Sequence, residues 1–120
     1  MKIAVTAQDG DIEGNVDQRF GRAPWFLIID TETMEYEAVE NVQSMNLPQG
    51  AGIQSAQNVA AKKPAAVLTG NCGPNAFKVL QAAGVEVVVG VSGKIKDAVQ
   101  AYIKGEYTVA GEANVEGHWA

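Results

Sequence analysis

The chain has 120 residues, of which 47% are hydrophobic and 19% are charged, and its formal net charge is -5. This length fits one domain, the composition is too apolar for a disordered chain, and the negative charge disfavours sequence-independent nucleic-acid binding. No apolar run approaches the roughly 20 residues of a membrane span, and the single Cys72 cannot form an intramolecular disulfide. With no secretion signal at the N-terminus, we expect a cytoplasmic protein that binds neither membrane nor nucleic acid.

The first third of the chain has the residue pattern of three strands. Apolar runs predict strands over Lys2–Ala7 and Trp25–Ile29, and alternating residues predict a third over Tyr36–Val42. The short polar connection Asp30–Thr33 is typical of a hairpin, so the second and third strands should be antiparallel.

After the third strand, helical periodicity alternates with short apolar runs. Ile53, Ala56 and Ala60 fall near one helical face, and each later strand is again followed by a helix. This helix should end at Lys62-Lys63-Pro64, and a strand over Ala65–Thr69 follows. The next helix contains Phe77, Leu80 and Ala83 and ends at Gly84. A strand over Val85–Val89 and a helix over Ile95–Ile103, closed by Gly105, complete the predicted elements.

The predicted order is β-β-β-α-β-α-β-α. Right-handed crossovers make the fourth and fifth strands parallel to the first, which predicts an α/β fold with a five-stranded mixed sheet and a helix layer. This arrangement resembles the ribonuclease H-like architecture. We expect residues 1–107 to form the domain and residues 108–120 to form an irregular or partly disordered tail.

Four loops of this topology should meet at one edge of the sheet: Gln8–Pro24, Ser44–Gly52, Gly70–Asn75 and Gly90–Lys94. All four contain glycine, which lets backbone approach a ligand, and three lead into helix N-termini, which favour anions. Arg19 and Arg22 add two guanidinium groups that suit oxyanions or a sulfide cluster. The edge therefore predicts an anion site, although the same loops also suit capping and turns alone.

Three segments together resemble the dinitrogenase iron-molybdenum cofactor biosynthesis family: Gln18–Phe26, Gln49–Gly52 and Thr69–Ala76. The resemblance runs from Met1 to about Tyr107 and includes the ribonuclease H-like sheet. Family members include carriers of nitrogenase cofactor precursors and the orange proteins of sulfate reducers, which bind a molybdenum-copper-sulfide cluster without covalent attachment. The resemblance implies cofactor-binding residues Arg19, Phe20, Gly21, Arg22, Gly50, Gly52, Asn71, Cys72, Gly73, Pro74 and Asn75.

One position departs from the family pattern. Many members have a histidine where this chain has Arg19, and that histidine is able to ligate metal directly. Arginine donates hydrogen bonds but does not coordinate metal, so the departure favours electrostatic capture of an anionic cluster. The resemblance therefore implies an orange-protein-like role with a molybdenum-copper-sulfide cluster, and, as the alternative, an iron-molybdenum cofactor precursor.

Each candidate residue also has a purely structural interpretation. Arg19 and Arg22 either contact the ligand or form salt bridges with an acidic residue of their own loop, which is Asp9, Asp11, Glu13 or Asp17. Cys72 either is a thiolate ligand, with its pKa lowered by a helix N-terminus, or is a small buried apolar residue. His118, in the tail, either ligates metal or is solvated, and Asn71 and Asn75 are either ligand donors or turn formers.

Catalysis is disfavoured by what the strands contain. A ribonuclease H-type enzyme needs carboxylates gathered on the sheet, but those positions hold Ala4, Thr6, Val67 and Thr69. We therefore expect a non-catalytic protein that binds, assembles or delivers a metal-sulfur cluster, with a partner complex that receives or donates it. The alternatives are a protein-interaction or scaffolding module without a cofactor and a sensor of a small anion or nucleotide.

Overall fold

The computed structural model describes residues 1–41 and 51–113. Its elements follow the predicted order. They are β1 (Lys2–Ala7), β2 (Trp25–Asp30), β3 (Tyr36–Glu40), α1 (Ala51–Ala60), β4 (Ala66–Leu68), α2 (Pro74–Ala82), β5 (Glu86–Val88) and α3 (Ile95–Ile103). Two predicted loops are shorter than expected, because α1 begins at Ala51 and α2 begins at Pro74.

The five strands form one mixed sheet in the order β3-β2-β1-β4-β5. β2 is antiparallel to β1 and to β3, as the hairpin prediction requires, whereas β4 is parallel to β1 and β5 is parallel to β4. Helix α2 connects the parallel strands β4 and β5 and returns the chain to the end of the sheet where β4 begins. The predicted mixed α/β sheet is confirmed, and the ribonuclease H-like label stays a prediction.

Helices cover both faces of the sheet, and the predicted helix layer did not specify these faces. Alternate residues of β1 point to opposite faces. Ile3 and Val5 pack in one apolar cluster with Ile95 and Val99 of α3, whereas Ala4 packs in a second cluster with buried residues of α1 and α2. The crossover helices α1 and α2 therefore cover one face and α3 covers the other, because β1 and β4 are apolar on both faces.

The described part of the tail is irregular but packed. Residues 108–113 form neither helix nor strand. The Ala110 N–H donates to the Val87 carbonyl at 2.7 Å, and Ala110 and Ala113 pack against the cluster that contains α1 and α2. Gly50 and His118, both named as candidate site residues, lie outside the described residues. No helix in the described part of the chain is long and apolar enough to cross a membrane.

Candidate functional site

The long loop between β1 and β2 runs across the edge where β1, β4 and β5 end. Its first part, residues 8–16, contains Asp9, Asp11 and Glu13, and we call it the acidic half. Its second part, residues 17–24, contains Arg19 and Arg22, and we call it the basic half. The two halves pack on opposite faces of the sheet, which separates their charges.

The acidic half packs beside the start of α3. The Val16 N–H donates to the Gly93 carbonyl at 2.9 Å, and the Ile95 N–H donates to the Gly14 carbonyl at 3.1 Å. The Lys96 ammonium donates to the Glu13 carboxylate at 2.7 Å, and this hydrogen bond raises the pKa of Lys96 above its ordinary value. The acidic half therefore has partners within the fold.

The basic half lies against the turn between β4 and α2. The Phe20 N–H donates to the Asn71 carbonyl at 3.0 Å, and the Asn71 amide nitrogen donates to the Gln18 carbonyl at 3.0 Å. A Cβ on Gly70 would come within 2.7 Å of the Gln18 carbonyl oxygen and 2.8 Å of its Cα, so this approach requires glycine. The Asn71 side chain thus joins this turn to the basic half, and donation from Asn71 to a ligand stays a prediction.

Aromatic packing turns Phe20 away from solvent. Its side chain is fully buried, and its ring centroid lies 5.5 Å from that of Phe26, with the ring planes tilted by 46°. Phe20 therefore anchors the basic half in the core. Its neighbours Arg19 and Arg22 are exposed.

On its other side the basic half is tied to β3 and α1 by a buried polar network. The Asn41 amide nitrogen donates to the Ala23 carbonyl at 2.7 Å and to the Ser55 hydroxyl at 2.9 Å. The Ser55 hydroxyl oxygen lies 3.2 Å from the Gly21 carbonyl. These contacts hold the residues on both sides of Arg22.

The backbone that carries the arginines therefore lies between the turn before α2 and the middle of α1. The Asn71 contacts join the Arg19 side of the loop to the turn before α2, and the Ser55 contact joins the Arg22 side to α1. No side chain caps the N-terminus of α2, which begins with Gly73 as N-cap and Pro74 as its first residue. Two guanidinium groups and the partial positive end of α2 favour an anion at this place.

Fewer loops favour an anion in the structure than were predicted, because the positive end of α3 is compensated. The Gly14 carbonyl accepts the N–H of Ile95, the first residue of α3, and Asp97 places an acidic side chain in its first turn. Both features compensate the positive end of the helix dipole. The region that favours an anion is therefore the basic half and the start of α2.

Of the two interpretations of Cys72, the structure fits the small buried residue and not the reactive thiol before a helix. Its side chain is fully buried, and burial raises the pKa of the thiol to about 12, which is opposite to the lowering that a thiolate ligand requires. Its Sγ lies 3.7 Å from the Gly73 carbonyl. Metal ligation by Cys72 stays a prediction, and in this conformation the thiol is protonated and part of the core.

The other predicted site residues divide by exposure. Arg19, Arg22 and Asn75 are exposed, Asn71 and Pro74 are partly buried, and Phe20, Gly21, Gly52, Cys72 and Gly73 are buried. Among the described residues, no three His, Cys, Asp or Glu side chains are grouped so that they could hold a metal ion. An anion held here would contact the arginines and backbone N–H groups.

The sequence analysis anticipated one residue that holds the basic half in place, Asp17, and did not single out the others. These others are polar, buried and distant along the chain: Thr6, Asn41, Ser55 and Thr69. Asp17 alone gave a local signal, because an Asp two residues before Arg19 is placed to accept its N–H. The others are recognised only when the fold brings them together.

Comparison with known proteins places this geometry in a family. In the solved apo form of the orange protein from Desulfovibrio gigas, 43% of residues are identical, the TM-score is 0.90, and the alignment covers 95% of this chain and 96% of that one. A putative NifB protein from Thermotoga is 28% identical with a TM-score of 0.72 over 90% of this chain and 91% of that one. An uncharacterised protein of Methanocaldococcus jannaschii is 28% identical over 109 residues, which are 88% of each chain. The model of the family described as "Dinitrogenase iron-molybdenum cofactor" matches residues 1–105, and the chain belongs to this family.

Proposed function

We propose that this protein binds an anionic, molybdenum-containing metal-sulfur cluster without covalent attachment, and that it assembles or delivers this cluster without catalysing a reaction. The cluster is its cargo. The observation that carries the proposal is the exposure of Arg19 and Arg22 on a loop anchored to the turn before α2 and to Ser55 of α1.

The comparisons support a role connected with a metal cofactor. The family model takes its name from the iron-molybdenum cofactor and covers residues 1–105. The orange protein of Desulfovibrio gigas was solved as an apo form, which is the form of a protein without its ligand. A molybdenum-copper-sulfide cluster is the cargo that the orange-protein resemblance favours, and an iron-molybdenum precursor is the alternative.

The chemistry of the site suits capture by charge and hydrogen bonds. A guanidinium group donates several N–H bonds in a fixed plane and carries a permanent positive charge, so two of them match the oxygen or sulfide edge of an anion. Because Arg19 and Arg22 are exposed, salt should weaken the interaction. A ligand held in this way leaves without breaking a metal-protein bond, which suits delivery to a partner complex.

Reconstitution tests the proposal. The purified protein is mixed with tetrathiomolybdate and copper under reducing conditions and desalted, and molybdenum, copper and protein are then quantified beside a visible spectrum. We expect stoichiometric uptake of both metals and a coloured protein. The same incubation with an iron-molybdenum precursor in place of thiomolybdate and copper tests the alternative, and uptake of that precursor alone would favour a nitrogenase carrier.

A metal-free, colourless product would contradict the proposal and favour the scaffolding alternative. In that case a shift in melting temperature with a nucleotide or a simple oxyanion would identify the sensor alternative. A titration with sodium chloride adds an internal check, because retention that does not depend on salt would contradict capture by the two arginines.

A further inference from the structure

Asp17 is a buried acid beside a site that favours anions. Within the residues that the structure describes, it is the sole acidic side chain in the buried class. The exposed fraction of its side chain is 9%, against 55% for Arg19. A negative charge at this place should repel an anionic ligand, so its position needs another explanation.

Its carboxylate is directed at Arg19. Asp17 Oδ1 accepts the backbone N–H of Arg19 at 2.9 Å, and the same oxygen lies 3.8 Å from Arg19 Nε. One carboxylate oxygen therefore contacts both the backbone and the guanidinium group of this arginine. Hydrogen bonds to a charged acceptor are stronger than neutral ones.

The backbone of Asp17 is fixed to the sheet by the threonines at the ends of β1 and β4. The Asp17 N–H donates to the Thr6 carbonyl at 2.9 Å, and the Thr6 hydroxyl donates to the Asp17 carbonyl at 2.7 Å. The Thr69 hydroxyl lies 2.9 Å from that of Thr6 and completes a buried polar chain. The position of Asp17 is thus set by two strands of the sheet.

We infer that Asp17 is a positioning residue, which transmits the rigidity of β1 and β4 to Arg19 and holds this arginine in place for an anionic ligand. The inference rests on the proposed function, because it assigns a role within the same site. It explains why a carboxylate is buried where its charge alone would weaken binding.

Positioning and simple electrostatics predict opposite results for substitution of Asp17. If the charge acts only by repulsion, both Asp17→Ala and Asp17→Asn bind anions more tightly than the wild-type protein. If Asp17 acts by holding Arg19, Asp17→Ala binds more weakly, whereas Asp17→Asn keeps an acceptor oxygen of the same shape and binds like the wild type.

The experiment measures the affinity of tetrathiomolybdate for the wild-type protein, the two Asp17 variants and Asp11→Ala. Asp11 is the matched control, because its Oδ1 accepts the N–H of Glu13 at 2.9 Å in the same loop but in the acidic half. We expect Asp17→Ala to weaken binding about tenfold, with Asp17→Asn and Asp11→Ala within about threefold of the wild type. An unchanged or tighter Asp17→Ala, or a larger change in either direction for Asp17→Asn, overturns the inference.

An NMR readout separates this inference from the proposed function. The Arg19 amide should exchange with solvent faster and change its chemical shift in Asp17→Ala, and it should resemble the wild type in Asp17→Asn. If the wild-type protein does not bind thiomolybdate, the proposed function fails while the amide still reports whether Asp17 holds Arg19. If Asp17→Ala does not fold, Asp17→Asn decides by its affinity and amide shift, and an unprotected Arg19 amide in the wild type overturns the inference.

Discussion

In both halves of the β1–β2 loop an Asp side chain accepts the backbone N–H two residues later, but the two halves lie beside different helices. In the acidic half Asp9 accepts the N–H of Asp11 at 3.1 Å, and in the basic half Asp17 accepts the N–H of Arg19 at 2.9 Å. The acidic half then compensates the start of α3, whereas the basic half exposes its arginines beside the start of α2, which no side chain caps. A loop can thus stabilise one helix and prepare a ligand site at another.

The largest expected effect is the loss of ligand retention when both arginines are removed. Arg19→Ala with Arg22→Ala should weaken thiomolybdate binding about 100-fold, because each guanidinium group contributes charge-assisted hydrogen bonds, and the melting temperature should change little because both side chains are exposed. The charge-matched control is Lys62→Ala with Lys104→Ala, since both lysines follow helix C-termini at the opposite edge. Equal weakening by both double variants would show that net charge, rather than the basic half, binds the anion.

A smaller loss of stability and binding should distinguish alanine substitutions at two glycines, Gly70 next to the basic half and Gly14 within the acidic half. Gly70→Ala places a Cβ against the Gln18 backbone, which cannot move without displacing the basic half. Gly14→Ala meets the Asp9 carboxylate oxygen at 2.7 Å and the Asp11 carbonyl at 3.1 Å, and the side chain among these can rotate away. We expect Gly70→Ala to lower the free energy of unfolding by about 1–3 kcal/mol and to weaken ligand binding, and Gly14→Ala to do less of both. Urea unfolding of the two variants measures the difference, and a larger effect at Gly14 would contradict this comparison.

The free energy of unfolding should decrease at high pH, because the Cys72 thiol is buried in the core beneath the basic half. The pKa of Cys72 is about 12 in the folded protein and 9.0 for the ordinary thiol, so the unfolded chain loses its proton first as the pH rises. The stabilisation is complete below pH 9 and decreases above it, by about 1 kcal/mol between pH 9 and pH 10. The comparison of wild type with Cys72→Ala by urea unfolding at several pH values isolates this effect from other groups. Parallel curves for the two proteins would show that the thiol is not buried in solution.

The smallest expected effect concerns the ion pair of the acidic half. Glu13→Gln removes the charged acceptor of Lys96, so the pKa of Lys96 should fall toward its ordinary value, as NMR titration can measure. The melting temperature and thiomolybdate binding should remain close to those of the wild type, because the ion pair is exposed and belongs to the acidic half, which carries neither arginine. A strong loss of binding in this variant would mean that the two halves act as one unit.

Much of the fold could be predicted because short-range patterns decide it. The apolar run of β1 was predicted with its observed bounds, and the polar connection after Ile29 correctly predicted the antiparallel pair of β2 and β3. The starts of α1 and α2 were less accurate, since helix ends depend on capping contacts that periodicity does not report. The faces on which the helices lie were not predicted, because they depend on how each helix packs against a sheet that is apolar on both sides.

By itself the sequence determined the order of strands and helices, the mixed sheet and the glycine-rich edge with Arg19 and Arg22, because periodicity and turn chemistry are local properties of the chain. Tertiary structure alone decided that Phe20 and Cys72 are buried, that α3 is compensated by the acidic half, and that Thr6 fixes the backbone of Asp17. These features depend on contacts between residues far apart in the chain, such as Thr6 with Thr69. Burial and hydrogen bonding across such distances set the pKa of a thiol and the position of an arginine, and no local pattern records them.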